Sequence, residues 1–168
     1  MMCEHHLKKD DSMLCIQSAE SSDIPLIANL ERRQYGTEAY PAMFFYQAFL
    51  QWPQLLFVAK DTSTTLGSAQ FLGYVLYAPA VDYETLWCMS LLTSHDARGK
   101  GVGRELMRFS LEQLSNTTQA RNVELTVAPD NEAALSLYRK LGFEVINEAT
   151  DLLGPGEARV QLRYIVPR

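Results

Sequence analysis

Leu91-Leu92-Thr93-Ser94-His95-Asp96-Ala97-Arg98-Gly99-Lys100-Gly101-Val102-Gly103-Arg104 is the stretch that decides the fold. It joins a run of β-formers, Glu84 to Thr93, to a helical pattern in which Val102, Leu106, Phe109 and Leu114, reinforced by Met107 and Leu111, mark one apolar stripe as far as about Ser115. The first N–H groups of a helix have no intrahelical partner, so a glycine-rich turn entering a helix is an anion cradle, and glycines let backbone approach an anion closely. Two phosphate loops fail against it. The P-loop needs Ser or Thr after its lysine, where Gly101 follows Lys100, and the dinucleotide fingerprint needs glycine where Leu106 stands.

Downstream, Val123–Val127 alternates as a short strand, and Asn131–Leu141 is helical with Ala134, Leu137, Tyr138 and Leu141 on one side. Gly142 is placed to end that helix in a left-handed cap. Phe143–Ile146 and Ala158–Ile165 are the last strands, joined by a loop around Leu153-Gly154-Pro155-Gly156. Upstream, Met13–Gln17 is a strand, and Ser22-Asp23 with Pro25 starts a helix carrying Ile24, Ile27, Ala28 and Leu30. Pro41 opens a second helix over Met43–Leu50. Leu55–Ala59 and Phe71–Tyr77 form a hairpin across the polar turn Asp61–Thr65. The predicted order is strand, two helices, three strands, helix, strand, helix, two strands. The step from Glu84 through Val127 is a parallel crossover in a mixed sheet of about seven strands with about four helices, an α/β (α+β) class. Ligands of such sheets sit beyond the carboxyl ends of the strands, where the glycine segment falls.

A chain of 168 residues has the length of one domain. The polar opening reads as a flexible segment, residues 1–12, ahead of a single domain over 13–168. Its apolar runs are far short of the roughly 20 residues of a membrane helix, and with no secretory core at the N-terminus the expected location is cytoplasmic. Cys3, Cys15 and Cys88 are odd in number and lack CxxC spacing, fitting neither a disulfide framework nor a zinc site, so no metal is expected. A net charge of −5 argues against a broad nucleic-acid footprint.

Arg98-Gly99-Lys100-Gly101-Val102-Gly103 resembles the R/Q-x-x-G-x-G/A pyrophosphate loop of the GCN5-related N-acetyltransferase (GNAT) superfamily. Asn131-Glu132-Ala133-Ala134-Leu135-Ser136-Leu137-Tyr138-Arg139-Lys140-Leu141-Gly142-Phe143 resembles its second signature, N-x-x-A-x-x-L-Y-x-x-x-G-F. The central region is similar to the ribosomal-protein-alanine acetyltransferase branch. The resemblance implies a GNAT-like fold and acetyl-CoA as co-substrate. It implies that Leu91, Leu92 and Thr93 hold the pantetheine arm by backbone hydrogen bonds and that Gly99 to Arg104 bind the pyrophosphate. It further implies that Asn131 contacts the cofactor, that Tyr138 faces the sulfur, and that a splay between the Glu84–Thr93 and Val123–Val127 strands makes the groove. Arg104 and Arg108, one helical turn apart, add positive charge, as do Arg98 and Lys100.

The implied reaction is acetyl transfer to a primary amine, a protein N-terminus, a lysine or a small amine, by direct attack in a ternary complex. A backbone N–H near Leu92 or Thr93 is the oxyanion donor. Tyr138, with a reference pKa of about 10, is the general acid for the leaving thiolate. For the base, some relatives carry a glutamate where this chain has Thr126. Glu124, Glu84 and His95 are the substitutes, with a diffuse route through water as the leading account. Tyr35, Tyr40, Phe44, Phe45 and Tyr46 concentrate aromatics where the acceptor approaches, and Tyr83 and Trp87 are candidates for the other wall. Partners are acetyl-CoA and an amine acceptor, with a homodimer compatible and neither nucleic acid nor membrane expected. The competing reading is a non-catalytic module that senses acetyl-CoA.

Overall fold

The computed structural model describes residues 5–9, 12–63 and 69–168. Its strands are β1 (His5–Lys9), β2 (Ser12–Ser18), β3 (Leu56–Asp61), β4 (Gln70–Pro79), β5 (Thr85–Thr93), β6 (Asn122–Val127), β7 (Glu144–Ala149) and β8 (Arg159–Ile165). The helices are α1 (Ile24–Tyr35), α2 (Ala42–Gln51), α3 (Val102–Thr117) and α4 (Glu132–Lys140). The predicted element order holds, and β1 makes eight strands where about seven were expected. Residues 1–4, 10 and 11 of the segment read as flexible lie outside the described residues, as do 64 and 65 of the polar turn. His5–Lys9 of that segment pairs with β2 as an antiparallel strand.

The described chain divides into two compact units, Met1–Ala78 with Ser90–Ser110 and Pro79–Met89 with Leu111–Arg168. β5 and α3 each contribute to both, as does β4 through its last residue, Pro79. The divisions fall inside β4, β5 and α3, so no linker composition marks them, and the sequence reads as one domain.

In the first unit β1, β2, β3 and β4 pair in order, each antiparallel to the next. The period-2 alternation of a strand sorts β3 residues to two faces. Leu56 and Val58 join Ile24, Ile27, Ala28, Phe45, Ala48, Tyr74, Leu76 and Leu92 in one buried cluster under α1 and α2. Phe57 faces the other way, its ring 6.0 Å from that of Phe109 on α3. Each such large apolar side chain contributes about 1.5–3 kcal/mol by leaving water. Pro25 lies in the first turn of α1, and Pro41 sits immediately before α2, positions where a missing N–H costs no helix bond.

In the second unit Thr85–Trp87 of β5 pairs parallel with Asn122–Glu124 of β6, the crossover expected from sequence. β6 then pairs antiparallel with β8, and β8 with β7, where a bulge falls between Val145 and Asn147. Asn131 caps α4 by accepting from the Ala134 N–H at 3.2 Å, and Gly142 follows the helix at φ 93°, the left-handed stop that its position predicted. Cys15 is disulfide-bonded and Cys88 is free, so a bridge forms where the odd count predicted none.

Candidate active site

The glycine loop belongs to the first unit. Gly99 and Gly101 have φ of 71° and 80°, the left-handed region that favours glycine. The Gly101 carbonyl accepts from the Glu105 N–H at 3.0 Å, so Gly101 is where the helical bonding of α3 begins. The N–H groups of its first turn precede a helix of 16 residues, whose dipole adds to an anion site. Arg98 donates to Gln34 on α1, and Arg104 and Arg108 both reach Glu105, at 3.3 and 3.0 Å. Positive charge is thus gathered at the loop and held by specific partners.

Ahead of the loop, the Ser94 N–H donates to the Leu72 carbonyl at 2.8 Å. A Cβ on Gly73 would lie 2.6 Å from the Leu92 carbonyl oxygen, so glycine is required for β4 to approach the end of β5. The β5–β6 ladder stops at Trp87, leaving Leu91–Thr93 beyond it. These features fit a pantetheine pyrophosphate: a strand end beyond its ladder, then a cradle of backbone donors.

Of the aromatics expected to face the acceptor, all but Phe45 are only partly buried. Tyr35 and Tyr40 are 46% and 40% exposed, and Tyr40 stacks on Phe44 at 4.6 Å. Phe45 is core, edge-on to Tyr74 at 5.4 Å. Burial, then the Glu31 carboxylate, push the Tyr35 phenol above its usual value. Tyr83 belongs to the second unit, in the turn before β5, at φ 59° and 82% exposed. Asp82 organises that turn by accepting from the N–H groups of Glu84 and Thr85 and from the Thr85 hydroxyl. Tyr83 and Glu84 line an open cleft of ≈ 680 Å³ with Arg121, Ile165 and Arg168.

The three base candidates have other partners. Glu124 is buried, with Oε1 held by Arg163 Nε and Nη2 at 2.7 and 2.6 Å and Oε2 by Gln161 at 2.8 Å. Glu84 is solvent-exposed, 3.6 Å from Arg121, and the exposed His95 ring is 3.7 Å from Asp96. Tyr138 is buried in the second unit, its ring 5.5 Å from that of Phe143, and the Phe143 N–H donates to its carbonyl.

Sequence reading missed Glu31. It occupies the buried stripe of α1 with Ile24, Ile27 and Ala28, and is itself 2% exposed. Its Oε1 accepts from the Tyr74 hydroxyl and, at 3.0 Å, from the Ser90 hydroxyl, and its Oε2 accepts from the Tyr40 N–H at 3.4 Å. Tyr74 Oη and Ser90 Oγ are 2.7 Å apart, closing a ring of three groups. The available signal was an acidic residue on an apolar helical stripe.

Residues 24–143 match the family model of the acetyltransferase (GNAT) family. The chain belongs to that family. As a GNAT N-acetyltransferase it takes acetyl-CoA as co-substrate. It is 28% identical over 156 residues, 90% of this chain and 77% of the relative, to the catalytic subunit of the N-terminal acetyltransferase A complex of Arabidopsis thaliana. It is 25% identical over 154 residues to an N-alpha-acetyltransferase of Sulfurisphaera tokodaii, covering 84% of this chain and 87% of that one. Its fold superposes on the acetyl-CoA complex of Arabidopsis thaliana NAA60 with TM-score 0.80, 18% identity, and coverage of 91% and 99% of the two chains.

Proposed function

We propose that this GNAT enzyme acetylates the α-amino group of protein or peptide N-termini by direct attack on the thioester in a ternary complex. The observation that carries the acyl-donor half is the backbone cradle, with Gly99 and Gly101 left-handed ahead of α3. The N-alpha-acetyltransferase relatives support the acceptor half. In this reading Leu91, Leu92 and Thr93 bind the pantetheine arm through backbone groups. Gly99 to Arg104 bind the pyrophosphate, and Asn131 combines its capping role with a contact to the cofactor. The acceptor must present a neutral amine, because an ammonium ion has no lone pair. Charge developing on the carbonyl oxygen is met by the N–H of Leu92 or Thr93, and Tyr138 gives a proton to the departing thiolate. Tyr35, Tyr40 and Phe44 offer a partly exposed aromatic wall to the first residues of the acceptor.

Thiol release is followed with acetyl-CoA and three acceptors: peptides with a free α-amine and varied first residue, the same peptides α-blocked but containing lysine, and small polyamines. Turnover of the free-amine peptides alone is the expected result. Turnover confined to lysine or polyamines overturns the acceptor. Tight acetyl-CoA binding with no turnover in any arm favours the sensor.

A further inference from the structure

A carboxylate buried without a cation costs several kcal/mol unless it is well hydrogen bonded. Among the described residues, the groups on Glu31 are two hydroxyls and one backbone N–H, with no lysine or arginine in ion-pair range. The chain places this arrangement on a helical stripe where an apolar residue would pack without that cost. Tyr74 is fully enclosed, and burial, then its bond to Glu31, push its phenol above the usual value, so it serves as a fixed donor. Ser90 is different. It is half-buried, and it is the residue immediately before Leu91, at which the proposed pantetheine-binding segment begins.

We propose that Ser90 accepts the proton of the attacking amine and passes its own hydroxyl proton to Glu31, which Tyr74 holds in place. The inference rests on the N-acetyltransferase reading above and supplies its missing proton acceptor. The C–N bond forms and the C–S bond breaks. The amine proton goes to Ser90 Oγ while the Ser90 proton goes to Glu31 Oε1, and the thiolate is protonated separately. Glu31 returns its proton through the same hydroxyl to water, so no further reactant is required. Ser90 is the catalytic residue, and Glu31 and Tyr74 are positioning residues that act through it. Among the described residues, the titratable side chains that interact with Glu31 are Tyr35 on its own helix and Tyr74 on β4; Tyr35 in turn feels Tyr40, ahead of α2, and the charge of Arg98. None of the four is a carboxylate or a histidine.

The test uses the full chain with acetyl-CoA and a free-amine peptide, measuring kcat, acceptor KM, acetyl-CoA affinity by calorimetry and melting temperature for each variant. Ser90→Ala and Glu31→Gln each lower kcat by about 10² or more, the scale of acid–base catalysis, while KM and acetyl-CoA affinity stay within a few-fold. The double variant is no slower than the slower single. Ser90→Thr, which keeps the hydroxyl, recovers most of the rate. A purely structural network gives the opposite order, with the bulkier threonine worse than alanine. Ser90→Ala removes one oxygen atom from a half-buried site, so it reads the relay even where Glu31→Gln lowers the melting temperature too far to assay. Near-wild-type kcat in Ser90→Ala, or a loss expressed in KM alone, overturns the relay while wild-type turnover leaves the N-acetyltransferase reading standing. Absence of both binding and turnover in the wild-type chain overturns that reading and the relay with it.

Discussion

The glycine loop and the Glu31 network lie in the same unit and are made of opposite materials. The loop is contiguous, 98–104, and offers backbone N–H groups whose directions are set by two left-handed glycines and a helix start. The network gathers side-chain oxygens from residues 31, 74 and 90 and one N–H from residue 40, drawn from a helix, two strands and a connecting segment. The difference has a consequence for how each fails. A backbone site tolerates exchange of its side chains and is broken by a change of conformation or by filling its space. A side-chain site is broken by an isosteric exchange that leaves every conformation intact.

The largest effect expected from this contrast is at Gly101. Gly101→Glu places a Cβ at φ 80° and a carboxylate at the mouth of an anion site, and acetyl-CoA binding should become undetectable by calorimetry while the far-ultraviolet circular dichroism is kept. Gly99→Ala is its partner experiment. No atom stands within 4 Å of the added methyl, so the cost is the left-handed strain alone, about 1–2 kcal/mol of stability. Equal acetyl-CoA affinity in both variants would break the backbone half of the comparison. Next in size is Tyr138→Phe, an isosteric exchange in the second signature. It should lower kcat by about 10² to 10⁴ and leave acetyl-CoA affinity nearly unchanged, the mark of an interaction made only in the transition state. Smaller again is Gly73→Ala, whose methyl meets the Leu92 carbonyl oxygen at 2.6 Å. Overpacking of this kind costs about 1–3 kcal/mol, read as a lowered denaturation midpoint. Because the shift displaces the end of β5, kcat should fall together with stability.

The same contrast explains what the sequence made legible. The loop, α3 and α4 with its Asn131 cap and Gly142 stop are governed by neighbours within a few residues, and their positions could be read from spacing. The parallel β5–β6 step followed because an intervening helix permits no short hairpin. Glu31, Tyr74 and Ser90 are separated by 43 and 16 residues, and nothing local relates them. Gly73 carries no local signal either, because what requires glycine there is the Leu92 carbonyl of another strand, 2.6 Å from where a Cβ would stand. β1 was missed because Glu4-His5-His6-Leu7-Lys8-Lys9 carries charge and little apolar pattern, and its strand form comes from pairing with β2.

The smallest effects are expected at the three groups that sequence spacing offered as bases, and Glu124 is the instructive one. Like Glu31 it is a buried glutamate, 5% exposed against 2%. Unlike Glu31 it faces a guanidinium, with Arg163 Nε and Nη2 within 2.7 Å of Oε1 and Gln161 on Oε2. A carboxylate so held is part of the β6–β8 pairing, where Glu124 lies directly opposite Arg163. Glu124→Gln should therefore cost stability, about 1–2 kcal/mol after allowing for an arginine that is 41% exposed. Its kcat should change by less than about tenfold, or roughly 1.4 kcal/mol. Glu84→Gln and His95→Gln remove exposed groups already beside Arg121 and Asp96, and each should stay within the same tenfold limit with no loss of stability beyond a few tenths of a kcal/mol. Measured beside Glu31→Gln on the same peptide, the series separates a buried acid held by a cation from one held by hydroxyls. A thousandfold loss of kcat in Glu124→Gln, with acetyl-CoA binding retained, would move the proton acceptor to the second unit and dissolve the distinction between the two glutamates.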